Sequence, residues 1–65
     1  MERLTDKARW NMAIGVAVNM LRTPLMHAKR VELANQLYFY APSRELREAA
    51  LAEARTIIES EGEGV

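Results

Sequence analysis

The chain reads as an all-α domain of three short helices. Three observations point to it: segments of helical period, a side-chain cap before each, and two prolines that divide them. Thr5 is placed to accept from the free amides of a first helix over about 6–22, with Asp6 well sited in its positive first turn. Pro24 bars the helical conformation at Thr23 but suits the first position of a new helix. Thr23 then caps a second helix over about 24–40. A single helix kinked at Pro24 is the competing reading. Ala41-Pro42-Ser43 makes the next break, and Ser43 caps a third helix over about 44–60 with Glu45 at its positive end. One face of that helix carries Leu46, Ala50, Leu51, Ala54, Ile57 and Ile58, and the other carries Arg44, Glu48, Arg55 and Glu59, with Arg44–Glu48 and Arg55–Glu59 spaced for i,i+4 pairing. A single domain over 1–60 is expected, followed by an acidic, glycine-broken tail over 61–65 that frays.

The first helix is apolar almost all the way round over residues 12–21, Met-Ala-Ile-Gly-Val-Ala-Val-Asn-Met-Leu. A helix on the surface of a monomer needs only one apolar stripe. Here the apolar surface is interrupted by a narrow line of Asn11, Gly15, Asn19 and Arg22. A chain of 65 residues lies near the lower limit for independent folding, and one without cysteine has no disulfide or thiolate metal site to support it. The expectation is a homo-oligomer joined through the first helix, with Trp10, Ile14, Gly15 and Val18 at the interface. Gly15 would admit another helix closely, and the asparagines one turn to either side would hydrogen-bond across the contact and set its register. The plainer reading of the same strip is a face in water.

On the second helix Met26, Val31, Leu33, Ala34, Leu37, Tyr38 and Ala41 fall in one broad sector, and His27 and Arg30 fall inside it. A cation on an apolar face needs a partner, an anion or an edge. Near the helix start, His27 and Arg30, together with Lys29 and Thr23, would suit a small anion. The plainer alternative pairs Arg30 with a glutamate of a neighbouring helix and leaves His27 at a rim. Tyr38-Phe39-Tyr40 point in three directions and cannot all face one small core. Phe39 or Tyr40 is expected outside, in contact with a partner, since Tyr and Arg are enriched in interface hot spots; Tyr38 is expected inside.

Nine basic and nine acidic residues balance to zero, which argues against a generic nucleic-acid coat. The bend imitates a helix-turn-helix with Arg44 and Arg47 opening a reading helix, but Glu45, Glu48 and Glu53 on that helix would meet phosphates badly, so DNA is not the expected partner. The start Met-Glu-Arg-Leu-Thr-Asp lacks a signal peptide's pattern, and the run 12–21 is shorter than the roughly 20 residues that span a membrane. A cytoplasmic protein with no membrane partner is expected. With one histidine and no cysteine there is no metal-ligand cluster, Ser43, Ser60 and the threonines have cap or tail roles, and no glycine-rich phosphate loop is present. The expectation is a protein that is not an enzyme and uses neither cofactor nor metal.

The stretch from Arg30 to Ile58 carries Arg-Val-Glu-Leu-Ala, then Ala-Pro-Ser-Arg-Glu-Leu, then Ala-Ala-Leu-Ala-Glu-Ala. It resembles the helical hairpin of phage anti-defence proteins that sequester cyclic nucleotides, which tend to show a proline and Ser-Arg-Glu at the bend before an Ala/Leu-rich helix. Pro42, Ser43, Arg44 and Glu45 match. The resemblance covers under half the chain; the bend here is tighter, and Arg55-Thr56-Ile57 stands where the family's last helix is aromatic-rich. It implies a symmetric oligomer with nucleotide pockets between subunits and Arg44 as a phosphate contact. The residue reading adds His27, Arg30 and Tyr38 to that set.

Two functional expectations follow. The leading one is a non-enzymatic binding protein of adaptor or inhibitor type, a homo-oligomer that presents Phe39 and Tyr40 to a protein partner. The alternative is a sponge that captures an anionic cyclic nucleotide between subunits through His27, Arg30, Tyr38 and Arg44.

Overall fold

A computed structural model describes residues 5–22 and 26–63. It contains helices α1 (Asp6–Arg22), α2 (His27–Tyr40) and α3 (Arg44–Glu63), and no strand among the described residues. They run up, down and up. Arg9 near the start of α1 reaches the end of α2, and Arg22 at the end of α1 meets Glu61 at the end of α3. α2 and α3 both pack along α1 and touch each other little, so α1 is the central element.

Two of the caps form as the residue types require. Thr5 Oγ1 accepts from the amide of Ala8 at 3.1 Å, and Ser43 Oγ accepts from that of Leu46 at 3.1 Å. The start of α2 differs from expectation. Met26 is extended, with φ −63° and ψ 152°, and makes no side-chain cap bond. An extended residue there cannot continue a helix begun at Pro24, so α2 starts at His27 and the chain reverses instead of kinking. The expected cap at Thr23 and first helical position at Pro24 lie outside the described residues. At the other end, α3 extends past Ser60 to Glu63. Its last turn is held by the Arg22–Glu61 ion pair; residues 64 and 65 lie outside the described residues.

The buried cluster is Ala13, Val16 and Ala17 of α1, Leu33 and Leu37 of α2, Ala41 after it, and Ala50 and Ala54 of α3. Most of these are alanine. α1 and α3 each bring an alanine pair one turn apart to the cluster, which lets their backbones approach closely. Among the described residues no large side chain is fully buried; Trp10, Val18, Met20, Tyr40 and Leu51 are partly buried and pack against the alanines.

This arrangement changes the reading of α1. The helices of the same chain cover most of its apolar circumference, and Trp10 and Val18 lie against the chain's own core, with Ile14 half-buried. Over residues 11–22 what stays open is the line of Asn11, Gly15, Asn19 and Arg22, joined by Met12, and separately Leu21 at the helix end, 37% exposed. Within one chain that line takes the plainer, solvent-facing reading.

On α2 the inward stripe is narrower than the predicted sector. Leu33, Leu37 and Ala41, spaced by four, are buried, whereas Met26 and Val31 are 82% and 45% exposed. Every described residue from Met26 to Glu32 is exposed. The first turns of α2, before Leu33, therefore have no buried face among the described residues.

Candidate functional site: the end of helix α2

A helix leaves its last carbonyls without internal partners, and they carry the negative end of its dipole. At the end of α2 two arginines from different helices answer this. Arg9 Nη2 of α1 donates to the carbonyl oxygen of Phe39 at 3.2 Å. Arg47 Nη1 of α3 donates to the carbonyl oxygens of Ala41 at 3.2 Å and Pro42 at 2.7 Å. The guanidinium of Arg47 also lies over the ring of Tyr38, with 4.1 Å from Cζ to the ring centroid, a cation–π geometry. The turn is thus tied to both neighbouring helices through its backbone.

The three aromatics divide as three consecutive helical positions must, but not in the expected order. Tyr40 is the inward one, half-buried against the core. Tyr38, expected inside, is 56% exposed, and Phe39 is 65% exposed. Leu37 and Ala41 define the buried stripe; Tyr40 lies about 60° from Leu37 on one side and Tyr38 about 100° from it on the other. Phe39 meets Tyr40 edge to face, with centroids 5.1 Å apart and planes at 81°.

Shallow grooves flank this helix end. Tyr38, Arg44 and Arg47 line one between α2 and α3, over Met20, Leu37 and Leu51. Trp10, Tyr40, Pro42 and Leu46 line a second beside the turn. Phe39 stands at a third, with Met12 of α1.

Of the residues predicted to hold an anion, Tyr38 and Arg44 share a groove. His27 and Arg30 do not join them within one chain: they stand in the exposed first half of α2, roughly 12–16 Å away along its axis. Lys29 pairs with Glu32 at 3.6 Å, and Arg44 Nε donates to Glu48 at 3.3 Å, one of the two i,i+4 pairs the spacing of α3 predicts; the other, Arg55–Glu59, does not form, since both side chains stay in water where such a pair gains little. Among the expected interface residues, Gly15 is exposed and Trp10, Ile14 and Val18 are half-buried. Thr23 lies outside the described residues.

Sequence reasoning missed the roles of Arg9 and Arg47. A basic residue soon after a Pro-Ser bend, within reach of the preceding carbonyls, was a signal available for Arg47. Arg9 carried none, because its acceptor is thirty residues away. Among the described residues no three His, Asp or Glu side chains gather to hold a metal, and no helix is long and apolar enough to cross a membrane. Comparison with protein-family models, curated proteins and solved structures finds no match to this chain.

Proposed function

We propose that the chain is a non-enzymatic binding protein that associates with copies of itself and engages a protein partner through the aromatic end of α2. The observation that carries this reading is the exposure of Phe39 and Tyr38 on a helix end whose carbonyls are held by Arg9 and Arg47. Aromatic side chains on a fixed backbone bury much area for little ordering cost, and Tyr and Arg dominate interface hot spots. Self-association is supported by the thin core, which leaves Met12, Val31 and Leu46 more than 40% exposed and no large side chain fully buried among the described residues.

Pull-down with the tagged chain, comparing variants, tests the reading. Phe39→Ala is expected to lose the captured partner while the helical signal stays and Tm falls only by the few degrees that the Phe39–Tyr40 contact contributes. Tyr40→Ala is the contrast: it packs on the core, so its loss lowers Tm as well. A partner retained by the Phe39→Ala protein sinks the proposal.

One observation favours the nucleotide alternative. Tyr38, Arg44, Arg47 and Glu48 line a common groove, where two guanidinium groups suit a phosphate; Arg44 must leave Glu48 to bind it, and a base has only the face of Tyr38 that Arg47 does not cover. His27 and Arg30 would then come from another subunit. Native mass spectrometry of protein from its own host separates the two readings. Bound mass of nucleotide size that disappears in Arg44→Ala supports the sponge; a bare oligomer supports the protein-binding module.

A further inference from the structure

We propose that two copies of this chain join through the open arc of α1, antiparallel, about a two-fold axis at Gly15. This rests on the homo-oligomer reading above and adds its geometry. At about 100° per residue, Asn11, Met12, Val18 and Asn19 lie within about 60° of Gly15, and Ala8 and Arg22 within about 20°. Asn11, Met12, Gly15, Asn19 and Arg22 are exposed, and Ala8 and Val18 are half-buried. They form the floor of a groove with Gln36 of α2 at one rim and Ile57 and Glu61 of α3 at the other. Nothing lies within 4 Å of the position a Cβ on Gly15 would take, so the centre of the floor is open to another backbone.

Charge admits a second copy as the occupant, and the arc's symmetry about Gly15 selects it. A two-fold surface meets itself, so any net charge on it repels itself. Residues 10–21 carry no charge in a chain that is 28% charged, and Arg22 at the end of the arc is already neutralised by Glu61. Charge also selects the direction. A parallel pair would set Arg22 against the partner subunit's Arg22 and align the helix dipoles. The antiparallel pair keeps the two Arg22 groups roughly 20 Å apart and opposes the dipoles. The arc is built for that direction, because it is symmetric about its centre. The asparagines stand four residues before and after Gly15, and Met12 and Val18 stand three. Asn11 therefore meets the partner subunit's Asn19, amide to amide, and Met12 meets the partner subunit's Val18.

The absence of cysteine from the sequence makes disulfide trapping a direct test. Gly15→Cys adds atoms into open space, so the chain folds, and at the axis the two copies lie within the Cα separation of about 4.4–6.8 Å that a disulfide spans. Under mild oxidation it is expected to form a linked dimer. Asn11→Cys and Asn19→Cys are each expected to stay unlinked alone and to link when mixed. Gly15→Trp is expected to give a monomer by sedimentation with its helical content intact. Self-linking of Asn11→Cys, or a dimer that survives Gly15→Trp, overturns the arrangement. A wild-type dimer in which none of the cysteine variants links overturns the geometry and leaves the homo-oligomer reading standing. A wild-type monomer at every concentration overturns both.

Discussion

At the end of α2, Arg47 binds two carbonyl oxygens and covers one face of Tyr38. Replacing it with alanine removes charge-assisted hydrogen bonds from a half-buried turn and uncovers the ring. Arg47→Ala is expected to cost about 1–2 kcal/mol, discounted for its partial exposure. In a chain of this size that lowers Tm by roughly 7–15 °C, read by circular dichroism. Arg47→Lys should recover only part, because an ammonium has neither the fork nor the flat face. An unchanged Tm in Arg47→Ala would mean the bonds contribute nothing. The caps at Thr5 and Ser43 were legible without any of this, since each bonds an amide three residues ahead. The Arg9–Phe39 contact spans thirty residues and leaves no local pattern to read.

Among the elements, α3 was the most legible and α2 the least. The face of α3 that carries Ala50, Leu51, Ala54, Ile57 and Ile58 is the face that turns inward; Leu46, at the helix start, remains 43% exposed beside the Trp10 groove. The contact between α1 and α3 depends on alanine being small. Ala54→Leu forces extra volume into a site that is 0% exposed and is expected to cost about 1–3 kcal/mol by denaturant unfolding. The exposed control Ala52→Leu should stay within about 0.5 kcal/mol of wild type. Equal effects at the two positions would show that close packing is not what alanine provides here. On α2 the sequence predicts a seven-residue apolar sector and only the i,i+4 line Leu33, Leu37 and Ala41 is buried: Met26 and Val31 precede the buried stretch, and Ala34 and Tyr38 lie about 100° round the helix from it.

Across the whole molecule, the Arg22–Glu61 pair closes the end of the bundle opposite the turn. Both side chains are about half exposed, so the pair is worth well under about 1 kcal/mol and is weakened by salt. Glu61→Gln is expected to speed amide exchange in the last turn of α3 at low ionic strength, with the difference from wild type vanishing near 1 M salt. Exchange that is indifferent to the substitution would assign the helix extension to backbone bonding alone. The small core and the neutral arc on α1 share one property of residues 12–21: they carry no charge, and Ala13 and Ala17 pack inside while Met12, Gly15 and Asn19 face outward.

The three helices, the caps at Thr5 and Ser43, the bend at Pro42 and the inward face of α3 follow from interactions spanning four residues or fewer, and the residues alone specify them. The start of α2, the inward turn of Tyr40 in place of Tyr38, the exposure of His27 and Arg30, and the covering of α1 by its own chain do not. Each depends on where a distant helix lies. Burial is conferred by the neighbour, and periodicity marks which side of a helix prefers cover without saying how much of it will be covered.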